Sequence, residues 1–266
     1  MSAVPLDALP LWGLLLAANV LLLLAVECGY RIGKWRHART PDERDQPVGA
    51  MVASILGLLA LVLGFTFSLA ASRFEARRQT VLEEANAIGT TYLRARLLPE
   101  PERGETKKLL REYVDVRIRG VAEGKMAEVV ARSEAMHESL WTQASAAAEK
   151  NPNSIMTGVF IQSLNNVIDL HAKRVMVGLR SRIPLVIWGG LFGLAMLGMA
   201  SVGYQSGLST TRRSPAMLGL VLSFSVVLAL IADLDRGHEG LLRVSQQALI
   251  DVQTTMKPNA SQQNNP

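Results

Sequence analysis

The stretch VGAMVASILGLLALVLGFTFSLAASRFEARRQTVLEEANAIG, residues 48–89, decides the fold. Its first part, Val48–Ala71, carries no charged side chain. A hydrocarbon core takes roughly 20 helical residues at about 1.5 Å rise each, so this run is long enough to cross one. From Ser72 onward the composition turns to Ala, Glu, Arg and Leu, with no β-branched alternation, and the pattern predicts continuous helix through Leu98, where Pro99 and Pro101 interrupt it. The stretch therefore reads as one helix whose first half suits lipid and whose second half suits water.

Working outward, three further runs have the same character: Leu9–Cys28, with Asn19 inside and Glu27 at its far end, Ile183–Tyr204 and Pro215–Ala232. Each is expected to be helical, because a backbone amide left unpaired in lipid costs several kcal/mol. The first run lacks a basic segment ahead of it and exceeds the roughly 7–15 apolar residues of a signal peptide, so a retained helix is expected. The fold class is all-α: a polytopic membrane protein with four transmembrane helices in two hairpins and an extramembrane helical domain between the second and third. The expected organisation is an N-terminal hairpin over 1–71 (helices about 9–28 and 48–71), the helical domain over 72–182, a C-terminal hairpin over 183–232 (helices about 183–204 and 215–232), and an extramembrane segment over 233–266 with a disordered Asn/Gln/Ser/Pro-rich end.

Within the middle domain, helices are expected over about 101–121, 126–150 and 154–180, with a soft boundary at Gly120 and Gly124 and a firm one at Asn151-Pro152-Asn153. The last has an apolar side of Val159, Phe160, Leu164, Val167, Ile168 and Leu170, and a polar stripe of Gln162, Asn165, Asn166, Asp169 and Lys173.

Composition narrows the function. The 266 residues are 49% hydrophobic and include one cysteine, Cys28, which excludes an intrachain disulfide framework and Cys-based metal sites. The excess of 28 Lys+Arg over 23 Asp+Glu fits basic membrane edges better than nucleic-acid binding, because acids are interleaved and no aromatic platform accompanies them. No phosphate loop, dinucleotide fingerprint, HExxH or GxSxG is present, so no catalytic residue, enzyme activity or cofactor is expected. The four histidines, His37, His137, His171 and His238, are scattered, and Asp169 and His171 diverge by about 200° on a helix, so no metal site is expected.

The most distinctive residues lie within Leu63–Gly89: Leu63-Gly64-Phe65 followed by Arg73-Phe74. This pattern resembles the corresponding helix of bestrophins, and the whole chain is similar to bacterial integral membrane proteins with a bestrophin-like domain, supported by VIDLHAKRV around Asp169 and IADLDRGHEG around Asp233. The resemblance implies a homo-oligomeric ion channel, pentameric in bestrophins, conducting chiefly anions such as chloride, in which the second helix of every subunit lines the pore. It also implies a cytoplasmic middle domain. The acidic calcium clasp of eukaryotic members has no counterpart here. The expected setting is the bacterial inner membrane with both termini cytoplasmic, although Arg31, Lys34, Arg36, Arg39, Arg44, Arg212 and Arg213 on the short-loop face nearly balance the basic residues opposite. The partners implied are further copies of the chain, lipid and the permeant ion.

Carried onto this sequence, the resemblance places Phe65 at a pore neck, with Leu61 one turn earlier and Gly57 or Leu58 before that. A ring of apolar side chains can gate by dewetting; contact with lipid or a neighbouring helix is the plainer alternative. Gly57 and Gly64 are small positions where helices could approach closely. Arg73, Arg77 and Arg78, then Glu83 and Glu84, are candidates for the pore mouth and selectivity, or for headgroup anchors. Glu27, Asp169, Asp233 and Arg236 are candidates for a structural polar network. A non-conducting membrane scaffold, with the helical domain recruiting partners, is the alternative function.

Overall fold

The computed structural model describes residues 9–39, 45–123, 125–209, 215–236 and 240–257. Arg44, Gly124, Arg212, Arg213, His238 and the 258–266 tail lie outside the described residues. Among those described, every regular element is helical: α1 (Leu11–Arg39), α2 (Asp45–Arg94), α3 (Glu102–Glu123), α4 (Met126–Lys150), α5 (Ile155–Val175), α6 (Leu185–Leu208), α7 (Pro215–Asp235) and α8 (Gln247–Met256). Four of them, α1, α2, α6 and α7, are long and apolar enough to cross a membrane.

The chain divides into two compact units. The first comprises residues 1–74 and 182–242, and the second 75–181 and 243–266. The helix α2 belongs to both, and its 50 residues extend about 75 Å. Residues 29–39, expected as part of a short loop, instead continue α1 for three further turns. Their Arg and Lys side chains permit this, since long basic side chains carry their charge away from the helix axis toward headgroups.

In the first unit α1 runs along α6. The contact is made by backbone: a Cβ on Gly29 would lie 1.9 Å from the carbonyl oxygen of Ala200, one on Gly33 2.2 Å from that of Tyr204, and one on Gly203 2.0 Å from that of Val26. Only hydrogen fits in these places, and the two Gly-x-x-x-Gly steps, Gly29/Gly33 and Gly203/Gly207, interlock face to face. By contrast Gly57 and Gly64, expected to be the close-packing glycines, face open space within the chain. The apolar core of this unit includes Leu22, Leu59, Leu191, Met199 and Leu228, all fully buried.

The second unit packs α3, α4, α5 and α8 with the later part of α2. Val81, Ile88, Tyr113, Val114, Val167 and Leu249 form one apolar cluster, and Leu98, Leu110, Leu140, Phe160 and Leu164 a neighbouring one. Ser154 caps α5, its hydroxyl accepting from the Thr157 amide at 3.2 Å. Past Val175 the helix widens into a π turn over Met176–Arg180. The C-terminal segment, expected to be extramembrane, contributes α8, which buries Leu249 and Met256 in this unit, and Tyr92 donates to the Met256 carbonyl at 3.1 Å.

Candidate functional site

Successive residues of an α-helix are about 100° apart, so the two faces of α2 follow from its numbering. Leu59, Leu63, Thr66 and Ala70 share one side and are buried in the first unit; Arg77, Val81, Glu84 and Ile88 fall on the same side and are buried in the second. About 140° around the helix lies an uncovered stripe. It begins with Leu58, Leu61 and Phe65, which are 52%, 56% and 69% exposed, and continues through Ser68, Ser72, Gln79, Asn86 and Thr90. Gly57 borders it. One face thus changes from apolar to hydroxyl- and amide-bearing residues as the helix leaves its charge-free portion.

The charged candidates separate along the same lines. Arg77 and Glu84 are buried, so neither can line a conduit along the exposed stripe; they lie about 120° and about 100° from Phe65, whereas Glu83 shares its angular position. Arg73 is partly buried with its guanidinium 3.9 Å from the Asp235 carboxylate. The exposed charges come in opposed pairs: Arg78 with Glu75 at 3.2 Å, and Lys173 with Glu83 at 2.7 Å. Glu83 borders a cleft of about 630 Å³ between α2 and α5, lined also by Asn86, Thr90, Gln162, Asn166 and Asp169.

Of the expected polar-network residues, Asp233 is engaged most fully. Its carboxylate accepts from the Leu241 and Leu242 amides at 2.9 and 3.1 Å, closing the chain back after α7. Gly240 is required there, since a Cβ would meet Asp233 Oδ1 at 2.1 Å. Arg236 donates to the Leu9 carbonyl at 2.7 Å. Asp235, not singled out from the sequence, accepts from the Ile183 amide at 3.0 Å, and Arg182 donates to the Asp235 carbonyl at 2.6 Å. Glu27 pairs locally with Arg31 at 2.8 Å. Asp169 stands exposed on α5, so it belongs to the cleft and not to a buried network.

The largest polar cluster is one the sequence did not announce. Glu84, with no exposure, receives Tyr113 Oη at 3.1 Å and Arg117 Nη2 at 3.2 Å, and is bonded by Arg174, whose other nitrogen donates to Gln246 at 2.7 Å. Burial alone would raise the Glu84 carboxyl, but the Arg174 and Arg117 charges outweigh it and hold the group below its usual range. Burial, reinforced by the Glu84 charge, pushes the Tyr113 hydroxyl well above 10. The His171 ring lies against Tyr113, and the His137 and His171 rings meet edge to face at 4.9 Å. Histidines scattered in sequence are thus neighbours in space. The signal was present as polar residues on apolar faces: Tyr113 and Arg117 at i, i+4 on α3, and His171 and Arg174 at i, i+3 on α5. Among the described residues no cluster of three or more His, Cys, Asp or Glu could hold a metal ion.

This arrangement, four apolar spans with one long helix running on into a helical unit, has known counterparts. The family model of the bestrophin-like domain matches residues 15–249. The chain belongs to the bestrophin-like family. Its fold is also that of solved bestrophin homologues: two point mutants of a bacterial bestrophin homologue from Klebsiella pneumoniae align with TM-scores of 0.64 and 0.65 at 14% and 13% identity, covering 91% and 92% of this chain and 98% and 97% of theirs. A further structure described as a membrane protein aligns at 0.61 and 15% identity, covering 92% of this chain and 97% of the other. No curated protein sequence matches the chain. This bestrophin-like protein is an integral membrane protein with four spanning helices.

Proposed function

We propose that this bestrophin-like protein is a homo-oligomeric ion channel, a pentamer in the inner membrane, with the exposed stripe of α2 from each subunit lining the conduit and the 75–181 unit and both termini in the cytoplasm. Family membership and fold support an ion channel. The observation that carries the assignment of the lining helix is the uncovered stripe of α2, apolar at Leu58, Leu61 and Phe65 and polar at Ser68, Ser72, Gln79, Asn86 and Thr90. Rings of Phe65, Leu61 and Leu58, with Gly57 leaving space beside them, form a neck that blocks hydrated ions when dry and passes them when it widens.

The chloride preference that the resemblance implies draws no support from an arginine ring, because Arg77 is buried, Arg73 faces Asp235, and Arg78 is paired with Glu75. A charge-balanced lining supports weak selectivity. The test is reconstitution in planar bilayers: Leu61→Ala with Phe65→Ala is expected to raise single-channel conductance several-fold, with a reversal potential near zero in a salt gradient. Unchanged conductance would remove the neck from α2, and a monomer by native mass spectrometry would sink the channel reading.

A further inference from the structure

His137 and His171 sit inside the second unit with 7% and 4% exposure, and Nε2 of each imidazole is buried with no hydrogen-bond partner. The bonding around His171 fixes its tautomer. The Glu84 carboxylate only accepts, so Tyr113 spends its single hydroxyl proton on Glu84 at 3.1 Å. The 3.4 Å contact between Tyr113 Oη and His171 Nδ1 then requires the proton on His171 Nδ1, leaving Nε2 as a bare lone pair facing the interior. The groups around the two rings are Glu84 from α2, Tyr113 and Arg117 from α3, each ring's partner on α4 or α5, Arg174 from α5 and Gln246 ahead of α8. One carboxylate already faces two guanidiniums, so the cluster carries a net positive charge while both imidazoles are neutral. A proton added to either ring has no carboxylate left to meet.

We propose that the His137–His171 pair is a proton-operated latch: neutral, it lets α4 and α5 close on α2 and α3; charged in mild acid, it forces them apart around Glu84. Burial, then the Arg117 charge, lowers both imidazoles from 6.5 to about 4. A folded value below the unfolded one means that the unfolded unit binds more protons in the interval between them. The stability of this unit is therefore full above about pH 6.5 and declines as pH falls toward about 4. Four helices and the segment before α8 converge on the pair, so the strain of charging it reaches most of the unit. Glu84 lies on the helix that carries Leu61 and Phe65, and opening of the latch therefore acts on conduction; only that consequence rests on the channel reading.

The test is hydrogen exchange by mass spectrometry on the full-length protein in detergent, corrected for the intrinsic effect of pH. Peptides of α4 and α5 are expected to lose at least tenfold protection between pH 7.5 and 5, while peptides of α1 and α6 hold theirs. In His137→Phe with His171→Asn, which keeps a ring at one position and a donor to Tyr113 at the other, that loss is expected to shrink to less than twofold. Equal loss in wild type and variant, or no loss in wild type, overturns the latch. Should the double variant misfold, histidine-selective NMR of the wild type decides: the two buried imidazoles must charge together with the loss of protection, and charging without opening overturns the proposal. None of these readouts needs conduction, so a silent bilayer would count against the channel and leave the latch standing.

Discussion

The two units solve the same packing problem in opposite ways. In the first, α1 and α6 approach until glycine backbones touch, with the carbonyls of Ala200, Tyr204 and Val26 in the space where side chains would stand. In the second, helices close around a carboxylate, two guanidiniums, a phenol and two imidazoles. The difference follows from the solvent. Lipid tails are as apolar as leucine, so burying leucine between spanning helices gains little and close van der Waals contact must hold them. An aqueous unit is held by its apolar clusters and can accept a buried ionic cluster whose carboxylate and guanidiniums bond one another.

Three substitutions, with Gly57→Ala as a control, test this contrast in descending order of effect. Glu84→Leu strands two buried guanidiniums and is expected to destabilise the second unit by about 3–5 kcal/mol, read by pulse proteolysis in urea as cleavage within 101–181, while α1 and α6 stay resistant. Gly203→Ala places a methyl against the Val26 carbonyl and is expected to cost about 1–3 kcal/mol, read as a lower thermal midpoint in detergent. Gly57→Ala, which meets open space, is the control; if it proves as damaging, the interlock is not where the first unit is held. Glu75→Gln breaks an exposed pair with Arg78 and is expected to change stability by less than about 0.5 kcal/mol. A larger change there would mean that exposed pairs matter as much as the Glu84 cluster.

Much of the fold was legible. The four apolar runs, the break at Pro99 and Pro101 and the boundary at Asn151-Pro152-Asn153 all act through local chemistry, which a linear sequence displays. The α2 stripe was legible too, and the same 100° arithmetic would have removed Arg77 and Glu84 from it in advance, since they fall beside Ala70 and not beside Phe65. The glycine interlock had its Gly-x-x-x-Gly spacing in plain view at 29/33 and 203/207. What singled out those pairs over Gly57 and Gly64 was the partner helix, which spacing alone does not name. The helix α8 escaped because ten residues make fewer than three turns and carry little periodic signal; its helicity is supported by Leu249 and Met256 packing into a core built elsewhere.

By itself the sequence determined that this is a four-span, all-helical membrane protein with a long aqueous insert, because length and hydropathy of each run decide whether it can lie in lipid. Only the tertiary structure decided which charges are exposed and which are consumed. Glu84 and Glu83 are adjacent in the chain, yet one is enclosed by Arg117 and Arg174 and the other borders a cleft. His137 and His171 are likewise remote in sequence and touching in space, because helices bring together residues whose separation along the chain says nothing of their distance.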